Sequence, residues 1–192
     1  MTPTRSLLAG TLSLAALPAL AHTGHNDTFN LLTGMAHPVG GLDHLLAMVA
    51  VGLWAAAHQG KVRLAAPATF VLAMLGGCLL GAAGINLPAV EPGIALSVLV
   101  LGLMVAAGSR VQASIGLPLI AAFALVHGHA HGAEAPAGSL AGYMAGFVLA
   151  TAALHAGGLV AGHTLLARAS LWVRATGAAI AASGAWLLAS SL

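Results

Sequence analysis

Residues 37–57 read HPVGGLDHLLAMVAVGLWAAA, a polar opening followed by an uninterrupted apolar run. Asp43 and His44 stand at the mouth of that run. Ionisable groups that enter hydrocarbon are costly and mark a working site. Pro38 and the paired glycines that follow it, Gly40 and Gly41, disfavour a regular helix. We therefore expect a bend or a partly unwound segment just before Asp43. The stretch predicts a membrane helix with a functional entrance, and the alternative is a hydrogen-bonded Asp43–His44 pair that only caps the helix start.

The composition of the whole chain is that of a membrane protein. Of its 192 residues, 59% are hydrophobic and 5% are charged, whereas an ordinary soluble domain is about 25% charged. A membrane-spanning helix needs about 20 residues, so a bundle of such helices uses the length and leaves little for a soluble domain. The one cysteine, Cys78, excludes an internal disulfide. The expected fold class is all-α, a polytopic membrane bundle in one domain.

Residues 1–21 have the form of a secretory signal peptide. Arg5 precedes a short apolar run, and Ala19-Leu20-Ala21 is a small-residue cleavage pattern. We expect cleavage after this pattern, which leaves one transmembrane domain of residues 22–192 with a periplasmic amino terminus. The alternative is that the segment stays as an additional helix, although Pro18 breaks its short apolar core.

Six apolar segments follow, separated by glycine, proline and charged residues. They cover residues 40–58, 62–84, 92–108, 111–128, 138–166 and 170–191. Their short connections favour antiparallel neighbours. In this layout every Lys and Arg of the mature chain falls at a cytoplasmic end, where basic residues collect, and every Asp and Glu falls at an outer end. We expect a multi-pass protein of the bacterial cytoplasmic (inner) membrane.

A second polar cluster, HGHAHGAE at residues 127–134, closes the fourth of these segments. In a helix, His127, His131 and Glu134 share one face, so their side chains converge on one ion. His129 would point elsewhere. Gly128 and Gly132 favour a distorted helix end as much as a regular one, and a solvated, His-rich loop without a fixed ligand set is a further alternative. Two independent placements of costly groups at the same depth favour a metal-binding role for both clusters.

Three other residues are metal-ligand candidates with structural alternatives. Met48 lies one turn after His44 and offers a thioether, although methionine more often fills a core. Glu91, at the outer start of the third segment, is either a ligand or a helix-start anion. His155 lies deep in the fifth segment, where it is either an inner metal station or a core histidine.

The mature amino terminus adds two histidines to these candidates. His22 and His25, together with the α-amine, can hold a metal loosely, so they and His129 are candidates for capture of metal on the outer side. The alternative is a terminal segment that binds no metal.

The ligand types indicate a class of metal and a class of function. Imidazole with carboxylate and almost no thiol suits Ni, Co, Zn, Cu(II) or Fe(II) better than Cu(I), and does not choose among them. Ligation needs neutral imidazole and ionised carboxylate, so uptake should fall in acid. The sequence has no P-loop and no HExxH pair. We expect a transporter rather than an enzyme, with a divalent metal ion and membrane lipid as partners, no nucleic acid and no permanently bound cofactor.

Glycines spaced four residues apart mark helix faces that pack closely in lipid. The second segment carries such a pair and the fifth a longer series: Gly77 and Gly81, then Gly138, Gly142, Gly146, Gly158 and Gly162. Close packing within one chain is the favoured interpretation, and a homo-oligomer through these faces is the alternative.

The two polar elements resemble those of the HupE/UreJ family of nickel permeases. Residues 37–56 are similar to the family pattern HPxxGxDHxxxMxAVGxW, and residues 127–134 to its element HGxAHGxE. Val126 stands where an aromatic residue is often found before the histidine. The resemblance covers essentially the whole chain. It implies import of Ni(II), with Co(II) as a second cargo, for hydrogenase or urease maturation.

The resemblance also implies which residues bind the metal. By motif position these are His37, Asp43, His44 and Met48 in the first element, and His127, His131 and Glu134 in the second. The alternative function is a membrane protein that binds a metal or haem without transporting it.

Overall fold

A computed structural model of the chain describes residues 31–134 and 140–191. Its regular elements are all helical: α1 Leu31–Gly40, α2 Leu42–Ala56, α3 Lys61–Ala82, α4 Val90–Ala107, a 3-10 turn Gly108–Arg110, α5 Ala113–Ala133, α6 Leu140–Arg168 and α7 Ser170–Ser190. Helices α3 to α7 are each long and apolar enough to cross a membrane. The prediction of an all-α, multi-pass fold is confirmed. The predicted signal peptide lies outside the described residues, as do His22 and His25.

The first predicted segment, 40–58, is not one straight helix. α1 and α2 are bent by 87° at Gly41 and qualify as a membrane span only as a pair. Alone, α2 has 15 residues, about 22 Å of helix against a hydrocarbon core of about 30 Å. The predicted bend is confirmed, but it falls on Gly41, whose backbone is extended. Pro38 lies within α1, a helix that the sequence analysis did not predict.

The fourth predicted segment, 111–128, ends too early. α5 continues to Ala133, and Glu134 follows as its C-terminal cap residue. The second polar cluster is therefore helical, because the glycines that favoured a distorted end are used instead for close packing. A Cβ atom on Gly128 or Gly132 would collide with the backbone of α3.

α3 and α5 pack through glycines on both helices. Cβ atoms on Gly77 and Gly81 would collide with the backbone of α5, just as those on Gly128 and Gly132 would collide with α3. Small residues in such a register let two helices approach closely in lipid. This contact fixes which face of α5 turns into the bundle, and that face carries the buried histidines.

α6 packs against both halves of the bent pair, again at glycines. Gly146 meets the backbone of α1, and Gly158 and Gly162 meet α2. Close packing within one chain is thereby confirmed for these three residues and for the pair on α3, while Gly138 lies outside the described residues. A homo-oligomer stays a prediction.

The charged residues divide between two ends of the bundle. At the basic end, the α2–α3 connection meets the start of α5, since the ring of His58 lies 3.1 Å from the carbonyl oxygen of Val111. This end also joins α4 to α5 and α6 to α7, and its basic residues are Lys61, Arg63, Arg110, Arg168 and Arg174. The opposite end, which we call the histidine end, carries Asp43, Glu91 and Glu134.

Candidate metal-binding site

Four imidazole rings meet at the histidine end. His131 of α5 lies at their centre, with its ring centroid 4.4 Å from that of His37 on α1 and 4.4 Å from that of His44 on α2. His127, one turn deeper on α5, is 4.6 Å from His44. The two polar elements of the sequence therefore form one site, which we call the histidine cluster: His37, His44, His127 and His131.

Glu134 joins this cluster from its exposed edge. Ligand atoms of His37, His131 and Glu134 lie within 4.8 Å of one another. Ligands about 2.1 Å from a metal are themselves about 3–4 Å apart. These three side chains are therefore candidates to hold one ion together.

The bend at Gly41 brings together His37 and His44, the two histidines that the first polar element contributes to the cluster. It turns His37 towards His44, so that their ring centroids lie 6.4 Å apart although the two residues stand on different helices. A Cβ atom on Gly41 would stand 2.8 Å from Oδ1 of Asp43 and 3.1 Å from Nδ1 of His44. Glycine is therefore the residue that leaves room here for the Asp43–His44 pair.

Asp43 orients the ring of His44. Its Oδ1 accepts hydrogen bonds from the backbone N–H and from ring Nδ1 of His44, each at 2.7 Å. A carboxylate only accepts, so Nδ1 carries the proton and Nε2 carries the lone pair. Nε2 is buried and has no hydrogen-bond partner among the described residues. This is the carboxylate–histidine arrangement that presents an imidazole to a metal.

Ser97 of α4 orients the ring of His127. Its hydroxyl donates to the carbonyl oxygen of Ile94 at 2.6 Å, and its oxygen lies 2.7 Å from Nε2 of His127. Because the single hydroxyl hydrogen is used on Ile94, the oxygen accepts from Nε2–H. Nδ1 of His127 then carries the lone pair, and it is buried without a partner among residues 31–134 and 140–191. Sequence reasoning missed Ser97, because one serine in an apolar segment forms no pattern.

We expect Ser97→Ala to lower metal affinity about ten-fold, because the His127 ring loses the hydrogen bond that sets its orientation and tautomer. Equilibrium titration of the purified variant with Co(II) in detergent measures this. Ser109→Ala is the matched control and should bind metal as the parent does. Ser109 is exposed, in the 3-10 turn at the basic end. An unchanged affinity in Ser97→Ala would show that this hydrogen bond does not orient a ligand.

The structure does not bring every candidate to the cluster. Met48 is fully buried in the hydrophobic core, one turn beyond His44. Glu91 is exposed in the first turn of α4 and is not in the group that converges with Glu134. His129 points elsewhere, as predicted, and its Nε2 donates to the carbonyl oxygen of Ile85 at 2.5 Å. That bond ties α5 to the α3–α4 connection.

Aromatic rings surround the cluster and were also missed from the sequence. Phe147 of α6 lies 4.5 Å from His131, and Tyr143 lies 5.8 Å from His37. On the deeper side, Phe70 of α3 lies 6.0 Å from His127. Single aromatic residues inside apolar segments have no spacing that distinguishes them from ordinary core residues.

Comparison with known proteins identifies the family of this chain. The family model described as HupE / UreJ protein matches residues 10–187. The chain is 44% identical over 188 residues to Protein HupE of Rhizobium leguminosarum bv. viciae, a match that covers 95% of this chain and 97% of that protein. No solved structure matches. The chain thus belongs to the HupE/UreJ family, which its two polar elements resemble.

Proposed function

We propose that this chain is a permease that imports Ni(II), with Co(II) as a second cargo, from the periplasm to the cytoplasm for hydrogenase or urease maturation. The observation that carries the proposal is a series of ligand groups graded by burial. It begins at exposed Glu134 and half-buried His37, continues through buried His131 and His44, and ends at fully buried His127. An ion that enters along it exchanges hydration water for side-chain ligands step by step.

The charges at the site suit a divalent cation. Asp43 is hydrogen-bonded to His44, whose ring contacts that of His131. The ligand atoms of His131 in turn lie close to those of Glu134. The two carboxylates therefore stand on either side of the imidazoles and together balance two positive charges. Such compensation matters because an unbalanced charge in a poorly solvated site is very costly.

The donor set supports a late first-row metal that is held reversibly. Imidazole nitrogen binds Ni, Co, Zn and Cu(II) well, and the lone pairs of His44 and His127 are already free for it. Conduction requires binding that is favourable enough for entrance and weak enough for release. The choice of nickel within this group comes from the family resemblance rather than from ligand chemistry.

The distribution of charge supports the direction of transport. Basic residues collect on the cytoplasmic side of membrane proteins, so the basic end of the bundle would face the cytoplasm of a bacterial inner membrane. The histidine end would then open to the periplasm, on the same side as the mature amino terminus.

Proteoliposomes that contain the purified chain test the proposal. We expect radioactive nickel to accumulate inside, with Co(II) a stronger competitor than Zn(II), Mn(II) or Fe(II). Asp43→Asn and His44→Ala should each slow accumulation about ten-fold or more, since one misorients a ligand and the other removes it.

Vesicles without protein, and variants matched for reconstituted amount, serve as controls. If the chain binds nickel while the vesicle interior gains none, it is a metal-binding protein and not a permease. A Soret band in the purified protein would instead identify haem as the ligand of these histidines.

A further inference from the structure

His155 is buried in the middle of α6, and the proposed outer site does not use it. Its side chain is 2% exposed, and neither ring nitrogen has a hydrogen-bond partner among the described residues. A buried polar group without a partner loses the hydrogen bonds that water would give it. Inside a membrane bundle, an ionisable side chain in this condition indicates a functional site.

Phe70 connects His155 with the histidine cluster. Its ring centroid lies 6.0 Å from that of His127 and 5.0 Å from that of His155, and it meets the His155 ring at 82°. Phe70 itself is fully buried. One aromatic ring on α3 thus contacts an imidazole of the cluster on α5 and an isolated imidazole on α6.

The helix geometry gives the depth of His155. Phe147, which contacts His131, precedes His155 by eight residues, a rise of about 12 Å along α6. His127 lies four residues below His131 on α5, a rise of about 6 Å. His155 is therefore about 6 Å deeper than His127, one step closer to the basic end.

Two further polar side chains lie at the same α3–α6 interface, one turn nearer the histidine end than His155 and Phe70. Thr151 stands one turn before His155, and its hydroxyl donates to the sulfur of Met74 at 3.8 Å. Both side chains are fully buried, and Met74 stands one turn after Phe70 on α3. Imidazole and thioether are neutral ligands for late first-row metals. As a neutral ligand, His155 holds a divalent ion more weakly than the outer cluster with its carboxylates does, which favours onward release.

We propose that His155 forms a second metal station in the transport path, one step deeper than the histidine cluster, with the ring of Phe70 as the partition between the two. The proposal rests on the proposed function and deepens it. The ion leaves His127 by ligand exchange, passes the Phe70 ring and binds a ring nitrogen of His155.

A thiol at position 155 tests whether metal reaches this depth. Cys78→Ala removes the only native thiol, and His155→Cys is then compared with Ala156→Cys, the next residue, which is exposed on the lipid side of α6. On addition of Co(II) in detergent, ligand-field bands of the outer site should appear in both variants. A sulfur-to-cobalt charge-transfer band should appear only with His155→Cys. Outer-site bands without this charge-transfer band, or an equal band in Ala156→Cys, would overturn the proposal.

A second variant covers the case in which the cysteine variant does not fold. His155→Leu should keep Co(II) affinity at the outer site within about three-fold of the parent, while nickel uptake into proteoliposomes falls about ten-fold or more. Uptake equal to that of the parent would overturn the second station and leave the proposed function intact. Failure of the parent itself to transport would instead overturn the proposed function.

The role of Phe70 as a partition is tested by the rate at which metal reaches the thiol at position 155. In the Cys78→Ala, His155→Cys background, Phe70→Leu should speed the rise of the charge-transfer band about three-fold or more, and Phe70→Trp should slow it, since the partition becomes smaller or larger. Equal rates in both variants would show that this ring does not separate the two stations.

Discussion

Replacing His131 by leucine should abolish nickel uptake. Among the described residues, His131 is the one ring that contacts both His37 and His44, and its ligand atoms converge with those of Glu134. Its loss leaves the remaining ligands on α1 and α2 without a common centre, so we expect affinity and uptake to fall at least about 100-fold. Leucine is apolar and can pack against the neighbouring Phe147, which keeps the chain folded. Uptake by proteoliposomes and Co(II) binding in detergent measure the two effects.

His129→Leu is the matched control for this variant. It lies two residues away on the same helix and is also buried, but its ring bonds to Ile85 rather than to the cluster. We expect uptake within about three-fold of the parent, with some loss of stability because the carbonyl oxygen of Ile85 loses its donor. If His129→Leu and His131→Leu lose uptake equally, the metal site is not the cluster centred on His131.

Replacing Gly77 by leucine should prevent stable folding. A Cβ atom at this position would collide with the carbonyl oxygen of Leu125 and approach the backbone nitrogen of His129 at 2.9 Å. Backbone atoms cannot turn aside as a side chain can, so α3 and α5 must separate. Overpacking of this kind costs typically about 1–3 kcal/mol and occasionally more, and a leucine side chain with no space at all belongs at the upper end. Recovery of monodisperse protein and its thermal unfolding in detergent measure the loss.

Gly76→Leu provides the control one residue away. Gly76 is exposed, and a Cβ atom there meets nothing within 4 Å. Leucine is a better helix former than glycine by somewhat less than about 1 kcal/mol, so this variant should unfold at the parent's temperature or slightly above it. Equal destabilisation by both substitutions would mean that α3 and α5 do not pack through the glycine face.

The sequence alone predicted most of the candidate site. The costly polar residues of two elements, His37 to His44 and His127 to Glu134, stand out against apolar surroundings, and helical spacing correctly placed His127 and His131 on one face. The structure brings these elements into contact. It also confirms the bend before Asp43, which the proline and glycines of the first element indicated.

The remaining features depend on tertiary contacts that have no local pattern. α1 was missed because ten residues with a proline near the end are too short to be recognised as a span. The end of α5 was placed too early because Gly128 and Gly132 favour irregular backbone until α3 is seen against them. Ser97 and Phe70 contact histidines of other helices, and the spacing of residues along the sequence does not reveal such contacts.

The hydrogen bonds of Asp43 and Ser97 have a consequence for the driving force. They set the tautomer of each neutral ring, with the hydrogen on Nδ1 of His44 and on Nε2 of His127, and the opposite nitrogen has no partner among the described residues. Above the pH at which protons compete for these nitrogens, coordination displaces no proton, and under the proposed function a divalent ion would carry its full charge inward. Moving two charges down an inside-negative voltage releases about 4.6 kcal/mol per 100 mV. If the chain is the proposed permease, the resting voltage of the cell is then enough to concentrate the metal without a second, coupled ion.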